Sequence, residues 1–298
     1  MNLALLPHHH VEAADRRVLG ALQFVDAVTG LPIGVPAQVD VRGAEIAGVP
    51  VDVALHENAV RLRQNRAGLV VIFSAPFFDA YTSAFEVPAA PPETAADPLR
   101  LRLAVVDPGP SYLPQEFFVD LPRALDPDSP GAVFNPVRVG LFRAPNASVL
   151  DGWAVLRVRV TAAGAPATRL PGVLIRVFRL PRATDDVPIG VGMTDWRGNI
   201  IGEALVPVAD IQRFRPGAGA SVIETDQAIE IEATRHSGFT GGTSALPLAS
   251  ALIAGSGAGL IRPPDLPPGS SLQVLLPAAP PPLRVQAGRE YVVHLAMP

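Results

Sequence analysis

The chain contains no cysteine in its 298 residues. That single absence removes disulfides, thiolate metal centres and cysteine nucleophiles together. Lysine is absent as well, since all 24 of the Lys+Arg total are arginine. Walker-type phosphate loops, Schiff-base chemistry and lysine general bases therefore have no amine to use. Alanine, arginine, glycine and proline draw on G+C-rich codons and lysine does not, which points to a G+C-rich bacterial or phage genome. Charged residues are only 17% of the chain and aromatic residues 6%. A formal net charge of -4 supplies no basic field to attract nucleic acid or an anionic membrane.

Long apolar runs are also missing. The charge-free stretch from Ser237 to Ile261 is interrupted by Pro247 and diluted by Gly255-Ser256-Gly257-Ala258-Gly259, short of the roughly 20 mostly apolar residues a spanning helix needs. Met1 to Pro7 has neither the basic region nor the run of about seven apolar residues of a secretory signal. The expectation is a chain made in the cytoplasm with no signal peptide and no membrane span, released, if at all, as part of a particle.

What is present is a hydrophobic fraction of 48%, enough for a packed core and too high for intrinsic disorder. The 33 prolines and 26 glycines are scattered without a period, which suits a loop-rich all-β chain. Period-2 alternation predicts strands at Leu19–Asp26, Val49–Leu55, Ala59–Arg63, Leu69–Ser74, Leu99–Val106 and Glu116–Leu121. In Leu99-Arg100-Leu101-Arg102-Leu103 the leucines should face a core and the arginines water. The prolines of Ala124–Gly131 cannot join a ladder, so a domain boundary is expected there. Beyond it, strands are expected at Val137–Phe142, Ala154–Thr161, Val173–Leu180, Ile189–Thr194, Asn199–Val206, Ala228–Arg235, Leu272–Leu276 and Glu290–Leu295, with Ala209–Phe214 as one or two helical turns. The organisation this implies is an N-terminal segment 1–16, a first sandwich 17–130, a linker 131–135 and a second sandwich 136–298 with a long apolar insertion 238–268.

One pattern occurs in both units. Asn65-Arg66-Ala67-Gly68 and Asp195-Trp196-Arg197-Gly198 each place an Asn or Asp three residues before Gly and then an apolar strand. An Asx side chain can accept from the backbone ahead of it and Gly tolerates positive φ, so each should close a hairpin. A Gly/Pro turn lies upstream of both, at Gly30-Leu31-Pro32 and Leu170-Pro171-Gly172. The combination of Leu170-Pro171-Gly172-Val173-Leu174-Ile175-Arg176-Val177 with Gly192-Met193-Thr194-Asp195-Trp196-Arg197-Gly198-Asn199-Ile200 resembles the carboxypeptidase-regulatory-like (transthyretin-like) β-sandwich domains. The resemblance runs over Leu150–Val206 and, more faintly, Leu19–Phe78. It implies two tandem Ig-like/transthyretin-like sandwiches with long Pro/Gly-rich loops; such a fold is a scaffold to which function is attached elsewhere.

No chemical motif stands out. Asp195 reads as a turn former. His8-His9-His10 are adjacent and cannot all face one ion in fixed geometry. His56-Glu57 starts like a zinc-protease motif but has Val60 where the second histidine belongs. His236 and His294 lie in predicted strands without partners at motif spacing, and read as core or edge histidines. Glu224, Asp226, Glu230 and Glu232 supply oxygen ligands of the kind calcium takes, yet Glu230 and Glu232 alternate with Ile229 and Ile231 as a solvated strand face would. Phe73, Phe77, Phe78, Tyr81 and Phe85 suit core packing better than a sugar platform. The reading is no catalytic, metal or cofactor residue, no cofactor, and a non-enzymatic structural protein. Its partners would be protein subunits of a larger assembly, including other copies of itself. Leaderless sandwiches of the resembled family point to a contractile injection, phage-tail-like particle; the alternative is a surface or polysaccharide-binding module. The segment Gly238–Pro268 is too long and apolar for an ordinary loop and would pack on its own domain or on a neighbouring subunit.

Overall fold

A computed structural model describes residues 18–33, 38–46, 48–51, 60–75 (without 67), 99–149 (without 110, 122, 124–127, 129, 130 and 134), 151–236 (without 183–186, 198, 199, 210, 212, 217–220 and 225), 272–275 and 282–297. Among these residues there are strands and turns and no α-helix. The His8–His10 run, His56-Glu57, the aromatics Phe77, Phe78, Tyr81 and Phe85, and the segment 238–268 lie outside the described residues.

Eight strands build the sheets around the first core: β1 (Gly20–Asp26), β2 (Gln38–Ile46), β3 (Val49–Val51), β4 (Arg61–Gln64), β5 (Val70–Ser74), β6 (Leu99–Val106), β7 (Gln115–Leu121) and β8 (Val137–Leu141). They form two four-stranded sheets, ordered β4-β5-β1-β8 and β3-β2-β6-β7. Both sheets feed one hydrophobic cluster. Leu22, Phe24, Ile72, Val139 and Leu141 come from the first, and Leu99, Leu101, Leu103, Phe117 and Leu121 from the second. The Phe24 and Phe117 rings meet edge to face, with centroids 6.1 Å apart, the arrangement their quadrupoles favour. The leucines of β6 are buried as the alternation requires, and its arginines pair outward, Arg100 with Asp120 and Arg102 with Glu116 on β7.

The remaining strands are β9 (Ala154–Ala162), β10 (Ala165–Arg169), β11 (Leu174–Arg179), β12 (Gly190–Met193), β13 (Glu203–Val208), β14 (Arg213–Pro216), β15 (Ser221–Glu224), β16 (Asp226–His236), β17 (Leu272–Leu275), β18 (Leu283–Gln286) and β19 (Glu290–Met297). Nine of them form one sheet along β10-β9-β13-β12-β11-β16-β17, with β18 on β16 and β19 parallel to β9; β14 and β15 make a separate hairpin. Alternate residues converge on a second cluster: Leu156, Val158 and Val160 of β9, Ile175 and Val177 of β11, Val206 and Val208 of β13, and Ile229, Ile231 and Ala233 of β16.

Several elements depart from the pattern reading. Val137–Phe142 was expected to open the second unit, but β8 runs parallel to β1 from Leu22↔Val137 to Asp26↔Leu141 and buries Val139 and Leu141 in the first core. Parallel neighbours are not joined by a hairpin, so alternation marks such a strand without showing which sheet takes it. β2 breaks its own alternation at a register shift between Val41 and Gly43, a bulge that hides the strand from a period-2 search. Arg213 and Phe214, read as the end of a helical turn, lie in β14 paired with Glu224 and Ile223.

Candidate functional site at the junction of the two cores

β1 ends at Asp26, whose side chain is buried although carboxylates seldom are. Its Oδ1 accepts from the backbone N–H of Val28 (2.9 Å) and Thr29 (3.0 Å), forming an Asx turn that Gly30 completes at φ 67. Its Oδ2 accepts from Arg143 Nε at 2.7 Å and from the Tyr112 hydroxyl at 3.2 Å. A second carboxylate sets the tyrosine in place: Asp107 accepts from the N–H groups of Gly109, Ser111 and Tyr112 at 2.8 to 3.1 Å. Tyr112 and Arg143 also face each other across an isolated antiparallel bridge, and Arg143 Nη1 donates to the Ser148 carbonyl at 2.9 Å. Burial first, and then the Asp26 charge, push the Tyr112 hydroxyl up to about 12. It remains a hydrogen-bond donor across the physiological range.

One carboxylate thus ties together the turn after β1, the loop before β7 and the segment after β8. Directly beside it the chain crosses between cores. Leu113, Phe142 and Ala144 pack with Leu174 and Met193 in a small buried cluster, which Ala27 and Trp196 partly cover. Ala147 packs with Val155 and Leu205 in a further small cluster. The hydrogen-bonded ion pair fixes these three segments of the first unit against one another, because breaking it strands a charge away from water, and the apolar cluster beside it is what joins the two halves of the chain.

The residues singled out by sequence occupy structural positions elsewhere. Asn65 closes its hairpin as expected: Oδ1 accepts from Leu69 N–H at 2.9 Å, and Gly68 has φ 78. At the second occurrence Asp195 is fully buried and takes the Arg197 backbone N–H at 2.8 Å on Oδ1 and the Arg197 guanidinium on both oxygens. Thr194 Oγ1 accepts from Val173 N–H and donates to the Leu170 carbonyl, both at 2.8 Å. Gly198 lies outside the described residues; the described glycine that closes this turn is Gly202, at φ 76, with its N–H on the Asp195 carbonyl at 2.9 Å.

The acidic row on β16 differs from the solvated face expected. Asp226 and Glu230 are partly exposed and meet Arg284 and Arg182, at 2.9 and 3.5 Å. Glu232 is buried between Arg176 and Arg182. Register explains the burial: Arg176 is the direct cross-strand partner of Glu232, and Arg182 reaches the same carboxylate while its guanidinium lies 3.5 Å over the Phe178 ring. The Glu224 side chain is outside the described residues. Among the described residues no three His, Asp or Glu side chains are placed to hold one ion. Phe73 is half-buried on β5, His294 lies on the exposed face of β19, and His236 ends β16.

No protein-family model matches the chain, and no curated protein matches it either. The junction residues Asp26, Asp107, Tyr112 and Arg143 were not singled out by sequence. Two weak signals were available, Asp26 four residues before Gly30 and Asp107 directly before Pro108-Gly109, each an Asx-turn composition.

Proposed function

We propose that the chain is a non-enzymatic assembly protein: two β-sandwich units of the carboxypeptidase-regulatory-like kind in tandem, held by a stiff junction, serving as a subunit of a larger particle such as a bacterial contractile injection system. The observation that carries this reading is the junction. Its most buried carboxylate spends both oxygens on cross-linking three chain segments, and the apolar cluster next to it draws side chains from both halves of the chain. A scaffold that passes force between subunits needs that kind of coupling, and a linker free to hinge would not supply it. Asp195, Glu230 and Glu232 support the same reading, since each is engaged by arginine within the frame. Contractile injection particles are the assembly the family resemblance implies.

Tagging the chain in its host and sedimenting contractile particles tests the proposal. The chain is expected in the particle fraction at a fixed ratio to tube and sheath subunits. Particles that sediment without it, and assemble normally when it is deleted, overturn the reading.

A further inference from the structure

Sheet edges are where β proteins meet partners, wanted or not, and edges that must stay single carry charges, prolines, bulges or very short strands. Most described edges here are guarded in that way. β3 has three residues, one of them Pro50; β4 carries Arg61 and Arg63 and a register shift; β7 carries Glu116 and Asp120. β8 has five residues with Arg138, β10 has Pro166 and a register shift, and β17 and β18 have four residues each.

β19 has none of these guards. It runs eight residues, Glu290–Met297, in unbroken register with β9 and without proline or arginine. Its one formal charge, Glu290, stands at its first residue, paired with Arg157 at 2.5 Å, and leaves the rest of the strand uncharged. Among the described residues no strand pairs with its other edge. Its core-facing side chains also differ from those of its neighbour. Leu156, Val158 and Val160 of β9 are at most 1% exposed, whereas Tyr291, Val293 and Leu295 of β19 pack on the same cluster but are only partly buried. On the opposite face Val292 is 67% exposed.

Hydrogen bonds fix which backbone groups point outward. Val155 N–H donates to the Arg289 carbonyl at 2.9 Å and Ala163 N–H to that of Met297 at 2.6 Å. In a parallel ladder the N–H and C=O of one residue point to the same side and alternate along the strand, so Tyr291, Val293 and Leu295 bond β9. The groups that point outward, unpaired among the described residues, are those of Glu290, Val292, His294 and Ala296.

We propose that this edge is the contact between two copies of the chain, with the two β19 strands antiparallel about a two-fold axis at Val293. An isologous contact requires a surface complementary to itself, and this strand meets the requirement. The outward backbone groups then pair as Glu290 with Ala296 and Val292 with His294. On the core side Tyr291 lies across from Leu295 and Val293 from its own counterpart. No like charges oppose, all of Glu290–Ala296 is used, and the half-buried apolar row becomes the middle of a sheet continuous through both copies. The pairing rests on the assembly reading above and names one of its contacts.

The native chain lacks cysteine, so single cysteines test the register on the full-length protein. In the proposed geometry Val293 is a non-hydrogen-bonded pair on the axis, with Cα atoms about 4.5 Å apart, inside the range a disulfide spans. Val293→Cys is expected to form a covalent dimer under mild oxidation while Val292→Cys stays largely uncrosslinked. By light scattering the native chain is expected at twice the chain mass. His294→Pro, which removes an outward donor and leaves the bonds to β9 intact, and Val292→Lys, which puts two charges into the contact, are both expected at the single-chain mass. Unchanged melting of Val292→Lys separates loss of pairing from loss of fold should the proline variant not fold. A native chain that is monomeric, a dimer that persists in Val292→Lys, or equal crosslinking at positions 292 and 293 overturns the pairing. Each of those results leaves the particle sedimentation untouched, and absence from the particle leaves the dimer standing.

Discussion

Gly202 and Gly164 have the same backbone conformation, φ +76, and different surroundings. A Cβ added at Gly164 would meet nothing within 4 Å, whereas at Gly202 it would lie 2.7 Å from Arg169 Cβ, 3.1 Å from Leu170 N and 3.1 Å from the Val160 carbonyl. Gly164→Ala should therefore cost only the left-handed strain of an L-residue, about 1 kcal/mol. Gly202→Ala adds to it an overpacking cost of about 1 to 3 kcal/mol, because two of the three contacts are backbone atoms, hydrogen-bonded to each other, that cannot rotate away. The expected losses are about 1 and about 2 to 4 kcal/mol, and at about 2 to 4 °C per kcal/mol in a chain of this size the second variant should melt roughly 4 to 16 °C below the native protein. Urea unfolding followed by tryptophan fluorescence is the assay. Trp196 lies on the same turn, so its signal reports the region directly. The midpoints should separate with the slope unchanged, which marks a stability effect and not a change in the unfolded state. Equal midpoints for the two alanine variants would refute the claim that close packing, and not φ alone, demands glycine at position 202.

At the junction, Asp26→Ala leaves the largely buried Arg143 without its carboxylate and should cost about 3 to 5 kcal/mol, whereas Asp226→Ala, which frees the exposed Arg284, should cost under about 1 kcal/mol; chemical denaturation compares them. Tyr112 has its hydroxyl raised to about 12 in the folded chain from an ordinary value of 10.0. Its contribution is therefore complete below pH 10 and is lost between about pH 10 and 12, as the unfolded state ionises first. Tyr112→Phe should flatten the fall in stability over that window, and spectrophotometric titration should find a tyrosine ionising near pH 12 in the native chain that is missing from the variant. Melting curves with and without a chelator should superimpose, because the carboxylates of β16 nearest a calcium-like arrangement are neutralised by arginine; a drop of several degrees would show a metal bound after all.

Strands with a strict alternation are legible in the sequence: Leu99–Leu103 has its leucines buried and its arginines paired outward. The Asn65–Gly68 hairpin was legible too, because all its determinants lie within five residues. Where the determinants are distant the reading stops. Asp26 and Arg143 are 117 positions apart, and neither has a neighbour that hints at the other. Glu232 looks solvent-facing by parity, and only the register that sets it opposite Arg176 makes it a buried ion. β8 has a strand's pattern but no local mark of its parallel partner. Periodicity reports which face of a strand is apolar; pairing between remote segments, which builds the junction, is settled by the competition of all possible neighbours.

The parallel pairing of β19 with β9 also sets a schedule. Synthesis completes β9 at Ala162 and reaches the end of its partner only at Met297. At about 5 to 20 residues per second, that gap of roughly 135 residues leaves one edge of β9 waiting for about 7 to 27 seconds. Throughout that time Leu156, Val158 and Val160 belong to a core that cannot yet close. Nascent chains on one messenger emerge at high local concentration with the same edge exposed, and a strand from a neighbour is a ready substitute for the one not yet made. Translation speed between positions 162 and 297 should therefore govern how much of the protein is recovered in native form, and a slow stretch there would favour chains joined through the wrong strand.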